Sequence, residues 1–324
     1  MRRLVSLILL SGISASVCSD AGVPFNGKSG QALLESVASA SRPSEEADMS
    51  ALTYTMTDRF SGREVSVSAG KLPDGYVWSS FVPVEWWANA PASLVRDVTS
   101  DIFNLLPLEA DAARARGDLP PGTVTAPAFS NAFWSAGRGE IYGVLTDLYS
   151  PPVELRGELA RAYFYMAVVH HADVWTPRAY MMFTSEPWPA LSAYAIPLLM
   201  AWHRAAPPSA AEMERNMLAE RLQGNRNPFV DYPELAEHLW GDRQDDKFVI
   251  AGEPQPLRSV YKLDADVIDL VSPWIPADAA WRIDGQAVSS ASVAASDLGP
   301  GNHRLTYHSQ STREEGLVMI KIEK

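Results

Sequence analysis

The texture of the chain changes at Gly241. Before it, apolar residues recur at helical spacing; after it, helical stripes vanish and short alternating runs stand between turn signals. A switch of period from 3.6 to 2 separates elements that bury one stripe from elements that bury one face. It predicts an α+β chain, mainly helical at first, followed by a small all-β sandwich. Helices are expected at Gly30–Ala40, Ala92–Leu106 (ended by Pro107), Leu108–Arg116, Pro152–Val169, Trp188–Ala205, Ser209–Leu222 and Tyr232–Trp240, the last capped by Asp231. Leu155, Leu159, Ala162, Tyr163 and Met166 line one stripe of the clearest of these. Two short strands, Ala51–Met56 and Glu64–Ser68, flank the turn signal Ser61-Gly62. Later strands are expected at Val260–Val267, Ala280–Ile283, Arg304–Tyr307 and Leu317–Ile322. A linker at Arg243–Pro256 places the domains at 22–245 and 257–324.

Composition narrows the class. With 39 acidic against 27 basic side chains, the net charge is −12, which argues against a densely basic nucleic-acid surface. One Cys excludes an intramolecular disulfide framework and any multi-Cys zinc site. At the N-terminus, Arg2 and Arg3 precede the short apolar run Leu4–Leu10 and a stretch of small and polar residues to Ala21. This is the pattern of a secretory signal peptide over residues 1–21. The alternative, a lipoprotein anchored at Cys18, puts Val17 where such sites carry a small residue. No other apolar run is long enough to span a bilayer. The protein is therefore expected to be secreted, periplasmic or associated with an outer membrane, and not membrane-spanning.

Three blocks carry a family resemblance. One is Ser150-Pro-Pro-Val-Glu-Leu-Arg-Gly-Glu-Leu-Ala-Arg-Ala-Tyr-Phe-Tyr-Met-Ala167. The second is Glu214-Arg-Asn216 with Gln223-Gly-Asn-Arg-Asn-Pro-Phe-Val-Asp231. The third runs from Asp101-Ile-Phe-Asn-Leu-Leu-Pro107 through Arg116-Gly-Asp-Leu-Pro120. Together they resemble the bacterial endonuclease I family, secreted or periplasmic nucleases with a ββα-metal site that hydrolyse DNA and RNA. The resemblance covers roughly residues 25–245 and implies an endonuclease I-like domain there.

Phosphodiester hydrolysis needs a base for water, a cation for the developing charge and ligands for that cation. In the family a Glu-His pair stands a few residues before a Pro and a Trp, and an Asn on the next helix completes the Mg²⁺ site. Anchored on Pro83 and Trp86-Trp87, this sequence has Ser79 in the place of Glu and Ser80 in the place of His. The family's next His pair falls on Phe103 and Asn104, its metal-binding Asn on Ala113, and a second Asn on Asp118. A shifted alignment does not rescue the base, because no His lies between Ala21 and Val169. Asp118, Glu109 and Glu85 are the replacement carboxylates on offer, and His170-His171 the remote base. The bland readings are solvated helix carboxylates and a His pair favoured by a helix C-terminus. The pattern implies a catalytically degenerate, exported homologue with no expected cofactor. The alternative is an active, divergent Mg²⁺-dependent endonuclease using replacement residues.

Arg116, Arg161 and Arg226 are the candidates for phosphate contact. For Asn225-Arg226-Asn227-Pro228-Phe229 the competing reading is a turn whose side chains satisfy the backbone and lock helices together. Trp86-Trp87 offers base stacking or, more ordinarily, core packing. Nucleic acid is a possible partner by the resemblance and is disfavoured by the charge. Past the linker, Ala280-Trp-Arg-Ile-Asp-Gly285 and Asp297-Leu-Gly-Pro-Gly-Asn-His-Arg-Leu-Thr-Tyr307 resemble bacterial immunoglobulin-like modules, with Asp284-Gly285 as a hairpin turn. Such a module implies a protein or cell-surface partner.

Overall fold

The computed structural model describes residues 23–249, 257–258, 260–271, 278–311, 313 and 315–324. The expected export segment with Cys18, and residues 250–256 of the expected linker, lie outside the described residues. The chain mixes helices with several small sheets. In order these are α1 (Gly30–Ser41), β1 (Tyr54–Thr57), β2 (Glu64–Val67), β3 (Tyr76–Ser80), α2 (Ala92–Ser100), β4 (Leu105–Glu109), α3 (Ala110–Arg116), β5 (Ala126–Ser130), β6 (Ser135–Ile141), β7 (Val144–Ser150), α4 (Arg156–Val169), α5 (Ala195–Ala205), α6 (Ala210–Gln223), α7 (Pro228–Asp231) and α8 (Leu235–Leu239). There follow β8 (Val260–Lys262), β9 (Val267–Asp269), β10 (Ala280–Ile283), β11 (Gln286–Val288), β12 (Ser292–Ala294), α9 (Ala295–Leu298), β13 (Gly301–His308) and β14 (Glu315–Glu323).

Helix α4 is the axis of the first part. Every residue from Leu159 to Val169 is buried, so the helix is enclosed all round and not along a single stripe. Its aromatic side chains meet Trp86, Phe183, Phe103, Phe229 and Trp240. This core takes in Phe248, which packs on Phe25 and Tyr232, so the chain stays with the first core beyond Arg243. A separate apolar cluster unites Tyr261, Ile268, Leu270, Trp281, Ile283, Leu305, Ile320 and Ile322. It lies between a five-stranded sheet of order β11-β10-β13-β14-β8 and the pair β12-β9.

Several expectations are corrected. The helix from Ala92 ends at Ser100, and Leu105–Glu109 is a strand. The Asp101 carboxylate accepts from the Phe103 N–H and turns the chain; Leu105, Leu106 and Leu108 are then buried on both faces. The expected helix at Trp188 begins at Ala195, where the Ser192 hydroxyl accepts the Ala195 N–H. Of the expected helix Tyr232–Trp240 only Leu235–Leu239 is helical, with the short α7 standing before it. Asn227 caps α7 and Pro233, which lacks an N–H, separates it from α8. Asp231 does not act as a cap; its carboxylate is taken by Arg226 and Asn216. Val260–Val267 is divided between β8 and β9, with a turn in which the Asp266 carboxylate accepts the Lys262 N–H. The antiparallel sheet β5-β6-β7 has no counterpart among the expected elements. Its edge strand is wholly exposed, and its glycines lack an apolar signal. Gly139 is there because a Cβ would stand 2.1 Å from the Thr123 carbonyl oxygen.

One buried group on α5 predicts a pH response. His203 donates from Nε2 to the Pro233 carbonyl at 3.0 Å, while Nδ1 lies 3.4 Å from the Arg161 guanidinium. Burial first, then the positive charge of Arg161, lower its pKa to about 4. The unfolded chain takes up this proton near pH 6.5, so stability falls as pH drops from about 6.5 to about 4. The linkage is worth roughly 3 kcal/mol. Urea unfolding at pH 7, 5.5 and 4.5 should show a His203→Asn variant losing less stability across that window than the parent. Equal losses would remove His203 as the cause. Asp101, whose pKa is raised by burial, acts with the opposite sign and is common to both chains.

Candidate functional site

A strand–strand–helix unit is formed by β3, β4 and α3. The strands pair antiparallel, with Tyr76 opposite Glu109, Ser79 opposite Leu106 and Ser80 opposite Leu105. The Ala110 N–H donates to the Gly75 carbonyl at 2.8 Å and ties the start of α3 to β3. This is the finger in which the resemblance places the metal and the base.

Two of the finger's polar side chains, Arg116 and Ser79, are engaged with each other. Nη2 of Arg116, at the end of α3, donates to the Ser79 hydroxyl at 2.9 Å and to the Ser80 carbonyl at 2.6 Å. The guanidinium is 3% exposed and lies 5.6 Å from the centre of the Tyr149 ring. Burial raises the Tyr149 hydroxyl pKa, against the pull of Arg116. Ala113 presents only a methyl group, half-buried on α3. Phe103 packs on Tyr165 at 4.9 Å. Asn104 is wholly buried and holds main chain: its Oδ1 accepts the Val82 N–H at 2.8 Å, and its Nδ2 donates to the Val82 and Val98 carbonyls.

The replacement carboxylates are spread apart. Asp118 follows α3 and accepts from Arg178 at 3.3 Å. Glu109 sits at the far end of the strand pair from Ser80, bound to Arg63 at 2.6 Å. Glu85 is exposed on a short 3-10 turn. Among the described residues, no group of three His, Cys, Asp or Glu side chains stands together to hold a metal. Mg²⁺ wants several hard oxygen donors. Ser79, already bonded to a guanidinium, Ser80 and Ala113 do not form such a set.

No His is bonded to the finger among the described residues. Nδ1 of His170 pairs with Asp173 at 2.7 Å, and the ring meets the edge of Trp87. Burial would raise the pKa of Asp173, but hydrogen bonds from His170 and Trp87 and the nearby charge lower it. Nδ1 of His171 lies 2.8 Å from the Val168 carbonyl, and His203, His238, His303 and His308 bond elsewhere. Of the other arginines, Arg161 is enclosed with Glu212 and Arg226 is clamped by Asp231 and Glu220. Trp86 and Trp87 are both buried.

A polar knot accounts for the Gln223-Gly-Asn-Arg-Asn block, in keeping with the reading of Asn225-Arg226-Asn227 as a turn whose side chains satisfy the backbone and lock helices together. Oε1 of Gln223 accepts the Ile102 N–H, and its Nε2 donates to Asp101 and Asn225. Asn225 donates to the Ser41 carbonyl and to Tyr165, whose hydroxyl donates to Asp101 at 2.7 Å. Asn227 donates to the Arg161 carbonyl. The participation of Gln223, Asp101 and Tyr165 has no separate signal in the sequence.

A family model described as Endonuclease I matches residues 24–234. The chain is 30% identical over 145 residues to an extracellular ribonuclease of Bacillus subtilis (strain 168), a match spanning 44% of this chain and 46% of that protein. It is 29% identical over 144 residues to an extracellular ribonuclease of Bacillus amyloliquefaciens, again 44% and 46% of the two chains. It is 37% identical over 82 residues to an extracellular deoxyribonuclease of Aeromonas hydrophila, spanning 25% of this chain and 29% of the other. The matches to the two ribonucleases thus span about half their length. No solved structure matches at a significant level.

Proposed function

Since the chain belongs to the endonuclease I family, we propose that it is an exported, non-catalytic member that keeps the nuclease scaffold for binding or support. Export is supported by the extracellular names of the three relatives and by the N-terminal charge and apolar run. One observation carries the loss of catalysis. At the positions matching the family's base and ligands stand Ser79, Ser80, Phe103, Asn104 and Ala113. Three are tied into the fold: Ser79 bonded to Arg116, Phe103 packed on Tyr165, and Asn104 clamping Val82. A serine hydroxyl has no base function near neutral pH without its own activator. The β module after residue 257, with Trp281 in its core, supports an immunoglobulin-like reading and presents the scaffold to a partner.

A plasmid-nicking assay with Mg²⁺, Mn²⁺ or Ca²⁺, and with chelator, tests this reading. The expected outcome is nicking no faster than buffer in every metal. General acid–base catalysis alone is worth about 10²–10⁴ in rate, so an intact site would be conspicuous. Chelator-sensitive cleavage at an enzymatic rate would establish the alternative, a divergent metal-dependent endonuclease in which Asp118 or a remote His has taken over.

A further inference from the structure

Three pairs in the chain set an Asn or Asp before a Gly: Asn26-Gly27, Asp74-Gly75 and Asp284-Gly285. Such a pair is chemically vulnerable, because glycine has no Cβ to shield its amide nitrogen from the preceding side-chain carbonyl. The fold treats the three differently. The Gly27 N–H donates to the Phe248 carbonyl at 2.6 Å, which keeps the attacking nitrogen occupied. The Asp284 carboxylate is occupied through both oxygens: Oδ1 accepts the Arg304 N–H at 2.8 Å, and Oδ2 lies 2.7 Å from Nδ1 of His303. Asp74 has neither protection. Among the described residues its carboxylate accepts no hydrogen bond and pairs with no cation, and the Gly75 N–H has no acceptor. Both residues are exposed. Gly75 has φ +85°, and no heavy atom beyond the adjacent residues lies within 4 Å of where a Cβ would stand.

We propose that Asp74 is a modification site, isomerising through a cyclic imide with water as the only reagent. The Gly75 nitrogen attacks Cγ of Asp74. The N–Cγ bond forms, a Cγ–O bond breaks, and the oxygen leaves as water with the amide proton and one proton from solvent. Water then opens the ring at one of its two carbonyls and returns a proton to solvent. Opening at Cγ restores aspartate. Opening at the main-chain carbonyl leaves the chain running through Cβ and Cγ, an isoaspartyl link one carbon longer. No metal, oxidant or partner takes part, so the site stands whether or not the finger is catalytic. The added carbon falls where the finger is fastened. The Pro73 carbonyl accepts the Tyr76 N–H at 3.1 Å across this pair, and the Gly75 carbonyl accepts the Ala110 N–H at 2.8 Å, holding the start of α3. Tyr76 begins the ladder to β4, opposite Glu109. A turn one carbon longer loosens this edge, which makes the finger age with the chain.

Incubation of the full chain at 37 °C and pH 7.4 in heavy-oxygen water, followed by peptide mass mapping, tests the site, because each passage through the imide installs one heavy oxygen. Uptake at Asp74 is expected to be at least about 10-fold faster than at Asp284, whose carboxylate must first give up two hydrogen bonds. In concentrated urea, where the fold protects neither pair, the two rates should agree within about 2-fold. Asp74→Glu, which would have to close a larger ring, should take up no heavy oxygen at that position and should melt like the parent. Hydrogen exchange at the Ala110 amide should quicken in the aged parent and not in aged Asp74→Glu. No uptake at Asp74, or a ratio to Asp284 no larger in the folded chain than in urea, overturns the site. Uptake at Asp74 with unchanged exchange at Ala110 overturns its link to the finger.

Discussion

Arg161→Met will destabilise the protein by about 3–5 kcal/mol, although methionine is a good helix former and similar in length. The side chain is 1% exposed and inside α4, where Nη2 donates to Glu212 at 2.7 Å and Nη1 to the Ala206 carbonyl at 2.8 Å. Removing the cation strands a carboxylate in the core. The Glu212 pKa is already raised by burial against the pull of Arg161, so the variant should take up a proton there and not keep the charge. The space is shaped for the guanidinium. A Cβ at Gly157 would approach the Ala206 carbonyl oxygen to 2.6 Å and Arg161 Nη2 to 3.1 Å. The double variant Arg161→Met/Glu212→Leu should recover much of the loss, since apolar replacement of a whole buried pair is often neutral. Urea midpoints at unchanged slope are the measurement. A loss below about 1 kcal/mol in the single variant would mean that water reaches the pair.

The same contrast marks what could be read from the sequence. The apolar period announces α1, which buries Leu33, Leu34, Val37 and Ala38 at helical spacing; α4 shows a stripe in sequence although it is enclosed all round, and α6 buries mainly the polar Glu212, Asn216 and Gln223. Ser209 was visible as a start, and its hydroxyl does accept the Glu212 N–H. The run Leu105-Leu106-Pro107-Leu108 was misread because a doubly buried strand and a buried helix turn look alike in so short a stretch. What decides is Asp101, whose carboxylate turns the chain, and a pairing partner on β3 far back in sequence. The sheet β5-β6-β7 was invisible for another reason. Its glycines are dictated by close approach of neighbouring main chain, which leaves no hydrophobic period.

At the finger, the residue types at the positions that the resemblance matches to the family's site can be read off directly, since residue types are what a resemblance compares. Their contacts in the fold cannot. Asn104 binds main-chain atoms of Val82 and Val98, and main chain carries no residue signature. The Arg116–Ser79 bond joins β3 to the last turn of α3, a contact that exists only once the strands have paired. Arg226, legible as either a phosphate contact or a lock, is bound through two nitrogens to Asp231.

Trp86→Ala should cost about 3–5 kcal/mol, lowering Tm by roughly 10 °C. Trp86 is among the largest wholly buried side chains, edge-on to Tyr163 at 6.4 Å and Phe183 at 6.1 Å. Its indole N–H donates to the Asp118 carbonyl at 3.1 Å, so it also pins the chain leaving α3. Truncation therefore opens a cavity in the core of α4 and frees a buried carbonyl at the finger. Trp86→Phe keeps most of the volume and loses only that hydrogen bond, with an expected loss of about 1–2 kcal/mol. The ordering Ala worse than Phe worse than parent, read from thermal melts, is what core packing demands. A residue kept for stacking on bases would behave otherwise: its truncation would leave Tm within about 2 °C and act on oligonucleotide affinity instead. The neighbouring Trp87, which donates to Asp173 at 2.9 Å and packs on Trp175 at 4.6 Å, makes the same argument from the other side of the chain. Both indoles are spent inside the fold.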